Sequence, residues 1–143
     1  MLGANVNTDI HCSAKYMAGK ETAYLAQRAV EPISPDVVAR FNFGNVIVAG
    51  KNSSINSPRE QAIQVMRLIG VATIAAPSFG RQFFRDAFNN GLSMIECDTR
   101  GVENGNTAEI DLARCCPRAQ DCGIERAFAR LPKAIQGFLS AGG

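Results

Sequence analysis

The chain has no tryptophan, two tyrosines and one histidine, His11, in 143 residues. A lone imidazole beside Cys12 hints at a metal or nucleophile pair, but no second cluster of metal ligands supports it. No basic run accompanies the net charge of +2, which speaks against nucleic acid as a partner. No apolar segment reaches membrane-spanning length, and the N-terminus lacks the charged-then-apolar layout of a secretory signal. The cysteines, Cys12, Cys97, Cys115, Cys116 and Cys122, are odd in number, against a disulfide framework. Their spacing fits neither a zinc site nor a bacterial ferredoxin, so they read as free thiols, with Cys97 as buried filler at a strand end. Repeats, low-complexity tracts and linkers are also missing. What remains reads as one domain over residues 1–143, long enough to bury a core and expected to be cytoplasmic, or in an organelle matrix after processing.

The richest stretch is Val46–Ala62. Val46 to Ala49 is a short apolar, β-branched run of the buried-strand type. A polar loop, Gly50 to Asn56, follows. Ser57-Pro58-Arg59-Glu60 then combines an N-cap residue, a proline suited to the first helical position and the glutamate of a capping box. Strand, loop and helix start would aim free N–H groups and a partial positive charge at one point beside Arg59. A carboxylate or a phosphate suits such a point. The loop lacks the Gly-Lys-Ser/Thr ending of a P-loop.

The helix from Ser57 is expected to run to about Ile69, with Ala62, Ile63, Val65, Met66, Leu68 and Ile69 as its apolar face, and to stop at Gly70. Val71 to Ala76 reads as a second buried strand, parallel to the first. A helix over about Gly80–Asn89 would turn Phe83, Phe84, Ala87 and Phe88 inward and end at Asn90-Gly91. Leu92 to Cys97 is a third apolar run. Glu103-Asn104-Gly105-Asn106 is a hairpin signal inside Val102–Asp111. Arg114 to Gly123 reads as a polar, cysteine-bearing loop, and Leu131 to Leu139 as a terminal helix with proline near its start. Before the first strand, Glu21 to Val30 reads as a short helix, broken by Pro32 and Pro35, with one further turn at Asp36 to Arg40.

Three of these stretches resemble the small subunit of 3-isopropylmalate dehydratase, the swivel domain of the aconitase superfamily. Gly50, Asn52, Ser57, Arg59, Glu60 and Ala62 match the pattern G-x-N-F-G-C-G-S-S-R-E-x-A. Ser78, Phe79, Arg81, Phe83, Arg85, Ala87, Asn89 and Gly91 match S-F-A-R-I-F-x-R-N-A-x-N-x-G. Asn5, Thr8, Asp9 and Tyr16 fall on D-N-x-D-T-D-x-I-x-P-x-R-Y-L, with Lys15 at the arginine position. Arg81 and Arg85 lie four apart on one helical face; as a pair they read as solvated or ion-paired, Arg85 above all.

The resemblance implies an α/β fold, a three-layer β/β/α swivelling domain with a small parallel core and an added hairpin. It also implies half of an enzyme. A separate large subunit, in a heterodimer or heterotetramer, would hold a [4Fe-4S] cluster, and this chain would bind no cofactor. Together they would dehydrate or isomerise a small hydroxy di- or tricarboxylic acid. Ser57 falls where the family has its catalytic base and Arg59 where it grips a substrate carboxylate; Asn56, Pro58, Thr8, Lys15 and Lys20 fall on or beside substrate-contacting positions. Two departures matter. Pro58 replaces a serine and removes a hydroxyl and an N–H from the anion pocket. Met17-Ala18-Gly19-Lys20 replaces the usual Arg-Thr after the tyrosine, which bears on the substrate. Ser57 as a plain N-cap, and the chain as a non-catalytic carboxylate-binding relative, are the alternatives.

Overall fold

The computed structural model describes residues 43–53, 60–103, 105–111, 116–119, 124–125, 131–132, 135–137 and 139, with 61, 62, 65, 111, 116–119 and 124–125 described by their backbone. The expected helix over 21–30 and the turn over 36–40 lie outside these residues. Strand β1 (Asn45–Val48), helix α1 (Glu60–Leu68), β2 (Val71–Ala76), helix α2 (Arg81–Asn89) and β3 (Ser93–Glu96) follow one another as the apolar pattern predicts. The three strands form a parallel sheet in the order β1-β2-β3. Each connection is therefore a strand–helix–parallel strand crossover of the kind that is right-handed almost without exception.

Helices α1 and α2 touch each other and cover one face of this sheet. Ile74 and Met94 point from the strands into a core completed by Ile63 of α1 and by Phe83, Ala87 and Phe88 of α2. Leu131, Ile135 and Leu139, four residues apart, pack against the same core, and Gln136 N–H donates to the Pro132 carbonyl at 3.1 Å. That is the expected terminal helix, where it is described. Among the described residues of the expected α1 face, Leu68 is misplaced: it is exposed. It stands five residues beyond Ile63, which at 3.6 residues per turn puts it ~140° around the helix.

The opposite face of the sheet carries Ala75 and Ile95, against which Val46, Cys97 and Ile110 pack. Ile110 belongs to β4 (Ala108–Asp111), the first strand of an antiparallel sheet of order β4-β5-β6, with β5 at Cys116–Ala119 and β6 at Ile124–Glu125. Small sheet, parallel sheet and helices thus make the expected β/β/α layers. Two expectations inside the small sheet are corrected. The hairpin joins β4 to β5, not the two sides of Glu103–Asn106, because the chain turns rather than extends before it: Val102 N–H reaches the Thr99 carbonyl and Glu103 N–H the Asn106 Oδ1. The cysteine-bearing loop contains β5. Within it Pro117 stands opposite Ile110 of β4.

The helix ends are fixed by specific bonds. Helix α2 stops in a Schellman motif, with Leu92 N–H on the Ala87 carbonyl at 2.8 Å, Gly91 N–H on Phe88, and both Ala87 and Leu92 buried. Arg67 at the end of α1 donates to the Asn90 carbonyl at 2.6 Å, which ties the two helix ends together. Gly70 ends α1 at φ +90, a conformation that side chains resist.

Candidate functional site

The parallel pairing of β1 and β2 does not stop where the strands stop. Ala49 N–H donates to the Ala75 carbonyl at 2.9 Å, so Ala49 stands opposite Ala76. Pairing resumes at Ser53, whose N–H reaches the Ser78 carbonyl at 3.0 Å and whose carbonyl takes Gly80 N–H at 3.1 Å, a parallel bridge to Phe79. Four steps along one segment therefore meet three along the other, which is a bulge of one residue. Such bulges re-aim the chain next to active sites. Asn52 absorbs the extra residue at φ 55, a left-handed conformation asparagine accepts more readily than most.

Ser78 holds that bulge through its side chain. Asn52 N–H donates to Ser78 Oγ at 2.9 Å, and the Ser78 hydroxyl donates to Asn52 Oδ1 at 3.3 Å. Two motifs that lie apart in the sequence, Gly50–Ala62 and Ser78–Gly91, are thereby fastened to each other. Ser53 is buried, and Gly80 is the N-cap of α2 without a side-chain cap bond. The chain leaves this fastened point at Ser53 and is described again from Glu60, the first residue of α1.

Beside the bulge, at the carboxyl ends of the parallel strands, an open cleft of about 660 Å³ is lined by Gly50, Lys51, Pro77, Glu96, Cys97 and the turn Asp98–Arg100. This is the end of an open α/β sheet where ligands bind. The turn builds itself: Asp98 accepts Arg100 N–H at 3.1 Å and the Arg100 guanidinium at 2.7 to 3.1 Å. That hydrogen bond, with the charge of Asp98, holds the Arg100 guanidinium above its ordinary pKa. Thr99, buried between them in sequence, donates its hydroxyl to the Ala49 carbonyl at 3.0 Å.

Ser57, Arg59, Asn56 and Pro58, and likewise Thr8, Lys15, Lys20 and His11, lie outside the described residues. Arg81 and Arg85 are both exposed on α2. Cys97 is half-buried; it packs beside Ala75 and Ile95 and also lines the cleft. Among the described residues, no group of three His, Cys, Asp or Glu side chains could hold a metal, and no helix is long and apolar enough to cross a membrane. Sequence reasoning gave Thr99 no role and gave Asn52 and Ser78 none beyond the pattern they match. For Thr99 the only available signal was Pro77, a residue without an N–H at the end of a strand.

The aconitase C-terminal domain family matches residues 1–100. The 3-isopropylmalate dehydratase small subunit of Wolinella succinogenes is 33% identical over 142 residues, spanning 99% of this chain and 85% of that protein. That of Halothermothrix orenii is 35% identical over 143 residues, spanning 99% and 87%. The crystal structure of 3-isopropylmalate dehydratase (leuD) from Methanocaldococcus jannaschii superposes with a TM-score of 0.90 at 30% identity, covering 99% of this chain and 84% of that one. Sheet order, layers and sequence agree: the chain belongs to the 3-isopropylmalate dehydratase small-subunit family, of the aconitase C-terminal domain type, and is the small subunit of an aconitase-type hydro-lyase.

Proposed function

We propose that this subunit, working as one swivelling domain over residues 1–143 in the cytoplasm, presents the loop from Gly50 to Arg59 to a small hydroxy di- or tricarboxylic acid of the 3-isopropylmalate type. The acid would be enclosed between this chain and a large subunit that carries a [4Fe-4S] cluster. The observation that carries the reading is the fastening of Asn52 and Ser53 to Ser78–Gly80, which fixes the point from which that loop departs, at the ligand-binding end of the parallel sheet.

Arg59 would pair with a substrate carboxylate through two parallel N–H bonds, which orient the acid as well as attract it. Ser57 would take the proton from the carbon next to the one that loses its hydroxyl. A serine hydroxyl is not basic at neutral pH, so its alkoxide would depend on the α1 N-terminus, on backbone N–H groups and on the Arg59 guanidinium in a site closed to water. Asn56, Thr8, Lys15 and Lys20 would hold the remaining oxygens, and Pro58 would leave one donor fewer than the family pattern provides. The reading assigns the cluster's ligands to the large subunit. Lewis acidity toward the leaving hydroxyl is the chemistry that cluster supplies when bound.

One feature favours a second reading, a non-catalytic relative that only binds a carboxylate: Ser53 to Asn56 and Pro58 depart from the family loop around the base. Ser57→Ala separates the two. In a complex reconstituted anaerobically with the large subunit, the variant should lose about 10²- to 10⁴-fold in kcat with an unchanged melting temperature. Full activity of that variant would end the assignment of Ser57 as base.

A further inference from the structure

We propose that Thr99 is a positioning residue for the loop that carries Ser57 and Arg59; this rests on the reading that those two residues do the chemistry. In a parallel ladder the residue that donates to one carbonyl accepts, through its own carbonyl, the N–H two residues further along the partner. Ala49 donates to Ala75, so its carbonyl is due the N–H of residue 77. Residue 77 is proline and has none. Ala49 is fully buried, so no solvent reaches that carbonyl to replace the lost partner.

The Thr99 hydroxyl supplies the missing donor, at 3.0 Å and from 50 residues away. Its place is set without help from β1. Cys97 N–H extends the β3 ladder to the Ala76 carbonyl at 3.0 Å, the Asp98–Arg100 contacts shape the turn, and Val102 N–H closes it on the Thr99 carbonyl. Ala49, just past the end of β1, is thus held on both its backbone groups before the bulge at Gly50–Asn52. With its carbonyl released, the bulge keeps its anchor at Ser53 and Ser78 but loses the one at Ala49, and the point from which the loop departs is held from one side only. A displacement of about 1 Å at reacting groups is enough to cost ~10²-fold in rate.

The test uses the complex with the large subunit and the proline itself. Thr99→Val keeps the shape and removes the donor; its kcat should fall about 10-fold or more, with KM changed less, at a temperature where circular dichroism shows the subunit folded. Thr99→Ser keeps a hydroxyl and should retain most of the activity. Pro77→Ala restores an N–H facing Ala49, so the double variant Pro77→Ala/Thr99→Val should recover to within about 3-fold of the parent. A Thr99→Val subunit with parental kcat overturns the proposal, and so does a double variant no better than the single one. Should Thr99→Val not fold, a folded and active double variant supports the proposal and an unfolded one refutes it. Ser57→Ala is assayed alongside. Full activity there refutes the reading of the loop, whereas an inactive Ser57→Ala with an unaffected Thr99→Val refutes the positioning role alone.

Discussion

Gly70 closes α1, and two features there point to the same substitution penalty. Its φ is +90, and a Cβ built on it would lie 2.9 Å from Phe43 Cα and 3.2 Å from Phe43 N and Cγ. Gly44, in the neighbouring turn before β1, provides the control, since it has φ +91 but nothing within 4 Å of its would-be Cβ. In Gly44→Ala the cost is backbone strain, roughly 1–2 kcal/mol, offset by about 0.4–1 kcal/mol of reduced freedom in the unfolded chain. Gly70→Ala adds a steric term of about 1–3 kcal/mol. Phe43 cannot relieve it by swinging its exposed ring, because the clash is with backbone, and that backbone is tied down by Gly44 N–H on the Gly70 carbonyl at 2.9 Å. The expected net losses are about 0–1.5 kcal/mol for Gly44→Ala and 1–4.5 kcal/mol for Gly70→Ala. At about 3 °C per kcal/mol for a chain of this length, thermal unfolding followed by circular dichroism should place Gly70→Ala clearly below Gly44→Ala. Equal melting temperatures for the two variants would refute the close approach of Phe43 to Gly70.

Phe83 is 1% exposed at the centre of the helix-side core, and Phe43 is 88% exposed. Phe83→Ala should therefore cost about 3–5 kcal/mol in guanidinium unfolding, and Phe43→Ala should remain within about 0.5 kcal/mol of the parent. Arg59→Lys retains the charge and loses the two-pronged geometry; steady-state kinetics of the complex should show KM raised about 10- to 100-fold, the equivalent of one charge-assisted hydrogen bond. An unchanged KM would remove Arg59 from the carboxylate.

The parallel half of the fold is legible because its signals are local and mutually consistent. Val71–Ala76 is a run of strand length in which Thr73 alone is polar, Phe83, Ala87 and Phe88 recur at helical spacing, and Asn90-Gly91 stops the helix. Leu68 escaped because counting apolar residues in a window overlooks the angle at which each one leaves the helix. The small sheet was harder to see. Its strands are two to four residues long, and β5 carries Pro117, a residue type that argues for a loop. The candidate site was legible as a pattern, Gly50 to Ala62, and as the polarity of a helix start, but not as the clasp that holds it.

That clasp shows why the rest could not be read. A proline at the end of a strand is, in sequence, only a stop signal. In the folded sheet Pro77 is also a missing donor opposite a buried acceptor, and this consequence appears only once the register Ala49–Ala76 is known. The residue that answers it had to come from whichever segment the fold brings past the end of β1. Here that segment follows β3, and nothing in Asp98-Thr99-Arg100 marks its threonine as different from any other turn residue. A buried unpaired acceptor costs about 1–3 kcal/mol, a sizeable part of the stability of a domain this size, so a fold with proline at this position needs some such donor. If a chain of this fold has an ordinary residue in place of Pro77, its own N–H satisfies the acceptor, and the position of Thr99 is then released from this requirement.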